Sequence, residues 1–241
     1  MPFKVQPTVL ADIPILVDIY LAAFRTNAFG GAVFPDTPAV RQWWTAALSH
    51  ELSHQKGAAF YNLVEYAAGT DTPTFSGNDE QRQTGGPTIV AFAKWLRPME
   101  GVDPQDAVEI PTDLPPECDG ELFARYFPEL SRRHKMCMGT RAHWYLELLA
   151  THPSHQRRGA ASQLVNHVLV DNSANARFDA YLEASPEGLS TYRRLGFKRR
   201  DGFVVDIKGQ PYETLMMVRP GKVEGAAVEG AAVEGAAVEG A

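Results

Sequence analysis

The segment Gln156-Arg157-Arg158-Gly159-Ala160-Ala161 is where residue types in this 241-residue chain point most directly to chemistry. It lies between an apolar run, 144–150, and a stretch where Ala160, Ala161, Leu164, Val165, Val168 and Leu169 repeat at helical spacing. It therefore reads as a turn that opens directly into an amphipathic helix. The first N–H groups of a helix have no internal partner, and the aligned peptide dipoles add partial positive charge there; a diphosphate satisfies both. Gly159 and the small Ala160 and Ala161 let phosphate oxygens approach the backbone, while Arg157 and Arg158 add countercharge at the rim.

A second constellation competes with it. Residues 50–57 read HELSHQKG, the HExxHxxG opening of one metalloprotease class. On a helix His50 and His54 would share a face and could hold zinc, with Glu51 activating water. The third ligand of that class would fall at Phe60, which cannot coordinate, and the residues after Gly57 read as a strand. A zinc-dependent hydrolase thus stays as an alternative, and no metal is expected.

The elements that must position these groups follow from periodicity. Phe3 and Val5 suggest a strand, and Ile13, Leu16, Val17, Tyr20, Leu21 and Phe24 a helix. Residues 27–38, rich in Gly, Pro and Phe, read as a loop; Thr37 caps a second helix starting at Pro38, with Gly57 ending it. Strands are expected at 59–67 and 88–96, joined by a polar mobile loop, 69–86. Residues 98–139 read as an insertion, a lid or flank, whose prolines leave one helix at 117–132. After it come a strand at 144–150, the turn and helix described above, and a strand at 178–184. Ser185 then caps a short helix from Pro186 to Gly196, and a closing hairpin pairs 203–207 with 213–218.

With those elements in order, residues 144–197, carrying Gln156, Gly159 and Ala161 and the later AYLEASPEGLSTYRRLGF, resemble the GCN5-related N-acetyltransferase (GNAT) family. The resemblance implies an α/β (α+β) fold: a mixed, mostly antiparallel splayed sheet flanked by helices, the acyl-CoA N-acyltransferase fold. It would fill residues 1–220 as one domain, leaving 221–241, a VEGAA repeat, as a disordered tail. The implied activity is transfer of an acetyl group from acetyl-CoA, a cosubstrate, to an amine by direct attack in a ternary complex. On the same likeness the backbone of Leu149, Ala150 and Thr151 would pair with the pantetheine arm. The N–H groups of Arg157, Arg158, Gly159, Ala160, Ala161 and Ser162 would hold the pyrophosphate beside Gln156, and Ser185 stands where many members place a coenzyme-contacting asparagine. Glu147 matches a position that some members use for a general base, and partial burial would raise its proton affinity. Tyr192 matches the tyrosine that protonates the departing sulfur. A binding module that keeps the cradle but has lost turnover is the remaining alternative.

Composition narrows the partners. A net charge of −6 argues against general nucleic-acid binding, and Cys118 and Cys137 form neither a disulfide framework nor a zinc pattern. No apolar run reaches bilayer-spanning length, so no membrane partner is expected. The chain is read as cytoplasmic or nuclear, a monomer or homodimer, acting on a small-molecule amine. The acceptor is expected to enter over residues 24–35 and the hairpin near Tyr212, with the acidic insertion as a wall that favours a cation.

Overall fold

A computed structural model describes residues 3–66, 87–101, 108 and 113–222. The chain opens with β1 (Phe3–Pro7) and a short 3-10 turn, then α1 (Ile13–Phe24), with Pro14 in its first turn where no N–H is needed. Next come α2 (Ala28–Val33) and α3 (Pro38–His54), capped by Asn27 and Thr37 through bonds to the N–H groups of Gly30 and Val40. Strands β2 (Ala58–Glu65) and β3 (Thr88–Leu96) precede α4 (Gly120–Met138), capped by Asp119. Then follow β4 (His143–Thr151), α5 (Ala160–Leu169), α6 (Ser173–Ala176), β5 (Asp179–Ala184), α7 (Leu189–Arg194), β6 (Lys198–Ile207) and β7 (Gln210–Arg219).

The strands form one mixed sheet in the order β1-β2-β3-β4-β5-β7-β6, antiparallel except between β4 and β5. That parallel pair is the point of interest. Its register runs from His143 opposite Asp179 to Leu146 opposite Leu182 and stops there, so the strands diverge at Glu147 and Glu183. On its other side β4 pairs Leu146 with Trp95 and Leu148 with Lys94, which leaves Glu147 as an extra residue, a β-bulge. The alternation of β4 changes phase across it. Trp144 and Leu146 pack with α5, whereas Leu148 and Ala150 pack with α1 and α3 on the opposite face.

The helices form two layers. Helices α1–α4 cover one face through Ile13, Leu16, Val33, Leu48 and Leu122, each at most 2% exposed; α5 covers the other through Leu164, Val165 and Val168. Removing this apolar area from water is the main term holding the layers to the sheet.

Several boundaries differ from expectation. Residues 27–38 contain α2, whose six residues with two glycines are too short and irregular to show a period, yet Phe29 and Val33 are buried. The helix expected at 117–132 is α4, starting after Asp119 and running on to Met138, because His134 and Met138 continue its buried face at 0% and 1% exposure. Pro128 sits inside it, its cost outweighed by that packing. Nor is α4 a peripheral flank. Tyr126 bonds Thr214 at 2.7 Å, and Arg133 spans Glu129, Asp201 and the Gly202 carbonyl, so the helix is tied to β6–β7 as part of the core. The short helix after β5 begins at Leu189 instead of Pro186; Ser185 holds the intervening turn by accepting from Gly188 N–H at 3.4 Å. Strand β6 starts at Lys198, five residues before the expected 203, and α6 was not anticipated. The loop 69–86, residues 102–107 and 109–112, and the VEGAA tail from 223 onward lie outside the described residues.

Candidate active site

Where β4 and β5 part, a cleft of about 850 Å³ opens between the two helical layers. The two carboxylates at the divergence have opposite surroundings. Glu147 faces the ammonium of Lys94, 2.8 Å away on β3, and Lys94 is also 2.8 Å from Glu51 of α3. Lys94 is fully buried, with its ammonium 5.8 Å from the centre of the Phe60 ring. A buried cation is tolerable only with such partners, and here two carboxylates share one.

Among the described residues no cation pairs with Glu183. Burial pushes its carboxyl up to about 8; the phenols of Tyr181 and Tyr145 offset part of that push and the nearby Glu147 adds to it. Its buried Oε1 has no hydrogen-bond partner among the described residues. A carboxyl that titrates near neutrality in a cleft is a proton acceptor matched to amine chemistry. Glu183 was missed in the sequence reading. The signal was there: along β5 the two-residue period puts Glu183 on the same face as Tyr181, and it follows the last paired residue as Glu147 does on β4.

The turn after β4 opens directly into α5. Gly159 has φ +85°, a left-handed conformation, and Arg157, two residues earlier, is also left-handed at φ +59°. The space where a Cβ on Gly159 would lie holds no atom within 4 Å. The first backbone bond after the turn runs from Gln163 N–H to the Gly159 carbonyl, 3.0 Å, so the N–H groups of Ala160, Ala161 and Ser162 precede the helical ladder. Leu149, Ala150, Thr151, Gln156, Arg157, Gly159, Ala160, Ala161 and Ser162 all line the cleft, together with Glu147, Ser185 and Tyr192. Gln156 donates to the Thr151 carbonyl at 3.2 Å, which ties the turn to the end of β4. Arg158 does not line it. Its guanidinium pairs with Glu65 and stacks over Phe3, 5.1 Å from the ring centre, so its side chain fastens the turn to β1 and β2 instead of supplying countercharge.

Tyr192 projects from α7 against Gly188, where a Cβ would come within 2.8 Å of its ring, so the glycine is what lets the phenol lie there. Burial first, and then the charge of Glu183, push its pKa up, keeping the phenol protonated. Tyr212 of β7 and Glu187 meet the buried Asn27, whose amide donates to both, at 3.2 and 3.0 Å. The cap of α2 is thus also the clasp between the entry segment and the closing hairpin.

The HELSH segment ends α3. His50 and His54 are exposed and stack at 4.7 Å, while Glu51 reaches the buried Lys94. Among the described residues no three His, Cys, Asp or Glu side chains come together as a metal-binding group, and Phe60 is buried in the core. The motif's glutamate therefore serves the cleft's charge network. Among those residues, too, no helix is long and apolar enough to cross a membrane.

Known proteins resemble the chain in part of its sequence and in its fold. The family model described as acetyltransferase (GNAT) domain matches residues 122–199, from α4 through the cleft-forming β4, α5, β5 and α7. No curated protein matches the chain. Among solved structures, one described as histone acetyltransferase HPA2 and related acetyltransferase from Corynebacterium glutamicum is 23% identical with a TM-score of 0.55, covering 94% of this chain and all of that one. The NAA60 protein of Arabidopsis thaliana, solved with acetyl-CoA, is 13% identical with a TM-score of 0.49, covering 90% and 97%. The putative acetyltransferase yncA of Salmonella typhimurium, solved with its cofactor acetyl-CoA, is 14% identical with a TM-score of 0.48, covering 95% and 99%.

Proposed function

The chain carries an acetyltransferase domain of the GNAT family, and from that premise we propose that it moves an acetyl group from acetyl-CoA directly to a small-molecule amine. The observation that carries this reading is the single cleft joining the phosphate-sized turn at Gly159 to the divergence of β4 and β5, where Glu147 and Glu183 lie. In our reading the N–H groups from Arg157 to Ser162 hold the pyrophosphate. The β4 edge from Leu149 to Thr151, freed from β5 beyond Leu146, pairs with the pantetheine arm.

The acceptor arrives as an ammonium ion and must lose a proton before it can attack. Glu183 takes that proton. The nitrogen lone pair then bonds to the thioester carbon, the carbon–sulfur bond breaks, and Tyr192 donates its phenolic proton to the departing sulfur; the second proton that the acylated nitrogen must lose passes through water to the phenolate, and Glu183 gives up the first to solvent. Glu147, bridged to Lys94, places a second carboxylate at the divergence, beside the acceptor nitrogen. Holding both reactants in one cleft contributes through positioning. Neither cysteine lines the cleft, which supports direct transfer over a thiol-bound intermediate.

The test is thermal melting with acetyl-CoA, since a ligand that binds only the folded chain raises its stability by mass action, about 2.7 kcal/mol at a hundred times Kd. Wild type should gain several degrees. Gly159→Glu, which fills the open space above the turn and strains the backbone, should gain none; an equal gain in that variant overturns the cradle.

A further inference from the structure

The cleft has two chemically different ends. Around α5 it is lined by small residues and backbone; between α1, α2, α3 and α4 it is lined by rings. Trp44 is the hub of the second end: Tyr20 lies 4.4 Å and Phe34 5.1 Å from it, centre to centre, and Phe34 meets Trp43 at 5.8 Å. Phe29 closes the far side, stacked on Tyr126 at 3.8 Å. These rings come from four separate helices and, in Phe34, from the residue that ends α2, so the chamber is a product of tertiary packing.

Among the described residues its carboxylates are few. Glu51, Glu147 and Glu183 sit at the sheet end, with Lys94 shared between the first two, and Glu187 is held by Asn27. The basic residue contributed to the lining by α1–α4 is Arg25, exposed at the end of α1. A ligand here meets carboxylates at one point and aromatic hydrocarbon beyond it. Among the described residues, a second ammonium further along a chain would find only Glu187, whose carboxylate already accepts from Asn27. A peptide would bring amide groups that the rings cannot satisfy, and Asn27 is already committed to its cap, Glu187 and Tyr212. One ammonium on a flat apolar body satisfies both ends, through charge at the sheet and ring packing against the walls.

We propose that the acceptor is an arylalkylamine: a single primary ammonium joined by a short saturated linker to one aromatic ring, the ring lying among Tyr20, Phe29, Phe34, Trp43 and Trp44. This rests on the transferase reading and narrows it.

The experiment measures free-thiol release from acetyl-CoA with 2-phenylethylamine, spermidine and a short peptide with a free N-terminal amine. The expected kcat/KM for 2-phenylethylamine exceeds both others by at least thirtyfold; any smaller margin overturns the inference while leaving the transferase reading intact. Thiol release with none of a broad amine panel, from protein that acetyl-CoA stabilises, overturns the transferase reading and this inference with it. Trp43→Ala removes a partly exposed wall of the chamber. It should cut the preference at least tenfold with the KM for acetyl-CoA within twofold, and an undiminished preference in a variant that melts as wild type also overturns the inference.

Discussion

Replacing Glu183 by Gln keeps the volume and polarity of the side chain and removes its proton chemistry. With its carboxyl near 8, wild type at pH 7 is ionised in roughly one molecule in ten, so turnover through this base should rise about tenfold per pH unit below that point and level off above it. The variant should lose on the order of a hundredfold to ten-thousandfold in kcat, the range for a positioned general base, with the largest gap near pH 9. The assay is thiol release at saturating acetyl-CoA and acceptor from pH 6 to 10, both proteins side by side, so that the acceptor's own titration appears in both curves. Stability gives a second readout. The folded state holds this proton more tightly than the unfolded chain, whose carboxyl titrates near 4.5, so the stabilising contribution is complete below 4.5 and is lost as pH rises toward 8. In that window wild type should lose up to about 1.4 kcal/mol per pH unit from this group, and Glu183→Gln should show a flatter profile. A variant with kcat within threefold of wild type and an unchanged inflection near pH 8 would refute the assignment.

Tyr192→Phe should lower kcat by about tenfold, because a thiolate leaves without strong acid assistance, while the KM for acetyl-CoA stays within twofold; an unchanged kcat in steady-state assays removes the phenol from the mechanism. Lys94→Met leaves Glu51 and Glu147, 25% and 15% exposed, facing each other without the fully buried cation between them. Loss of one member of a buried charge set costs about 3–5 kcal/mol, and partial exposure of the carboxylates brings this toward about 2–4. Urea denaturation measures it, and a loss below 1 kcal/mol would mean the network contributes little.

How much was legible in the sequence depended on range. The strand, turn and helix around Gly159 are contiguous, and residue type alone carries the argument: only glycine adopts φ +85° without strain. The splay followed from the family resemblance. What lay hidden was everything decided by packing between distant segments. Nothing in the HELSH segment announces that Glu51 will meet Lys94, 43 positions later, and nothing in the 144–150 run shows that Glu147 is an extra residue in the ladder. Glu147 carries the base assignment in the sequence because its position is familiar, whereas the burial that pushes the Glu183 carboxyl up comes from strands and helices packed together and shows in neither run alone. Helix α2 escaped because one and a half turns of AFGGAV have no period to detect; its reason for being helical is Asn27, which caps it while also holding Tyr212.

The bulge at Glu147 separates the ladder's count from the chain's. Leu146 and Leu148 lie opposite Trp95 and Lys94, neighbours in the pleat, so removing Glu147 would leave Leu148 and Ala150 facing α1 and α3 and Leu149 facing α5, with a regular ladder in between. What would go is the carboxylate at the fork and the local bend that comes with an unpaired residue. A copy of this strand transplanted into another sheet could therefore drop its odd residue and still aim the phosphate cradle the same way, but it would arrive without the acid that stands where the strands part.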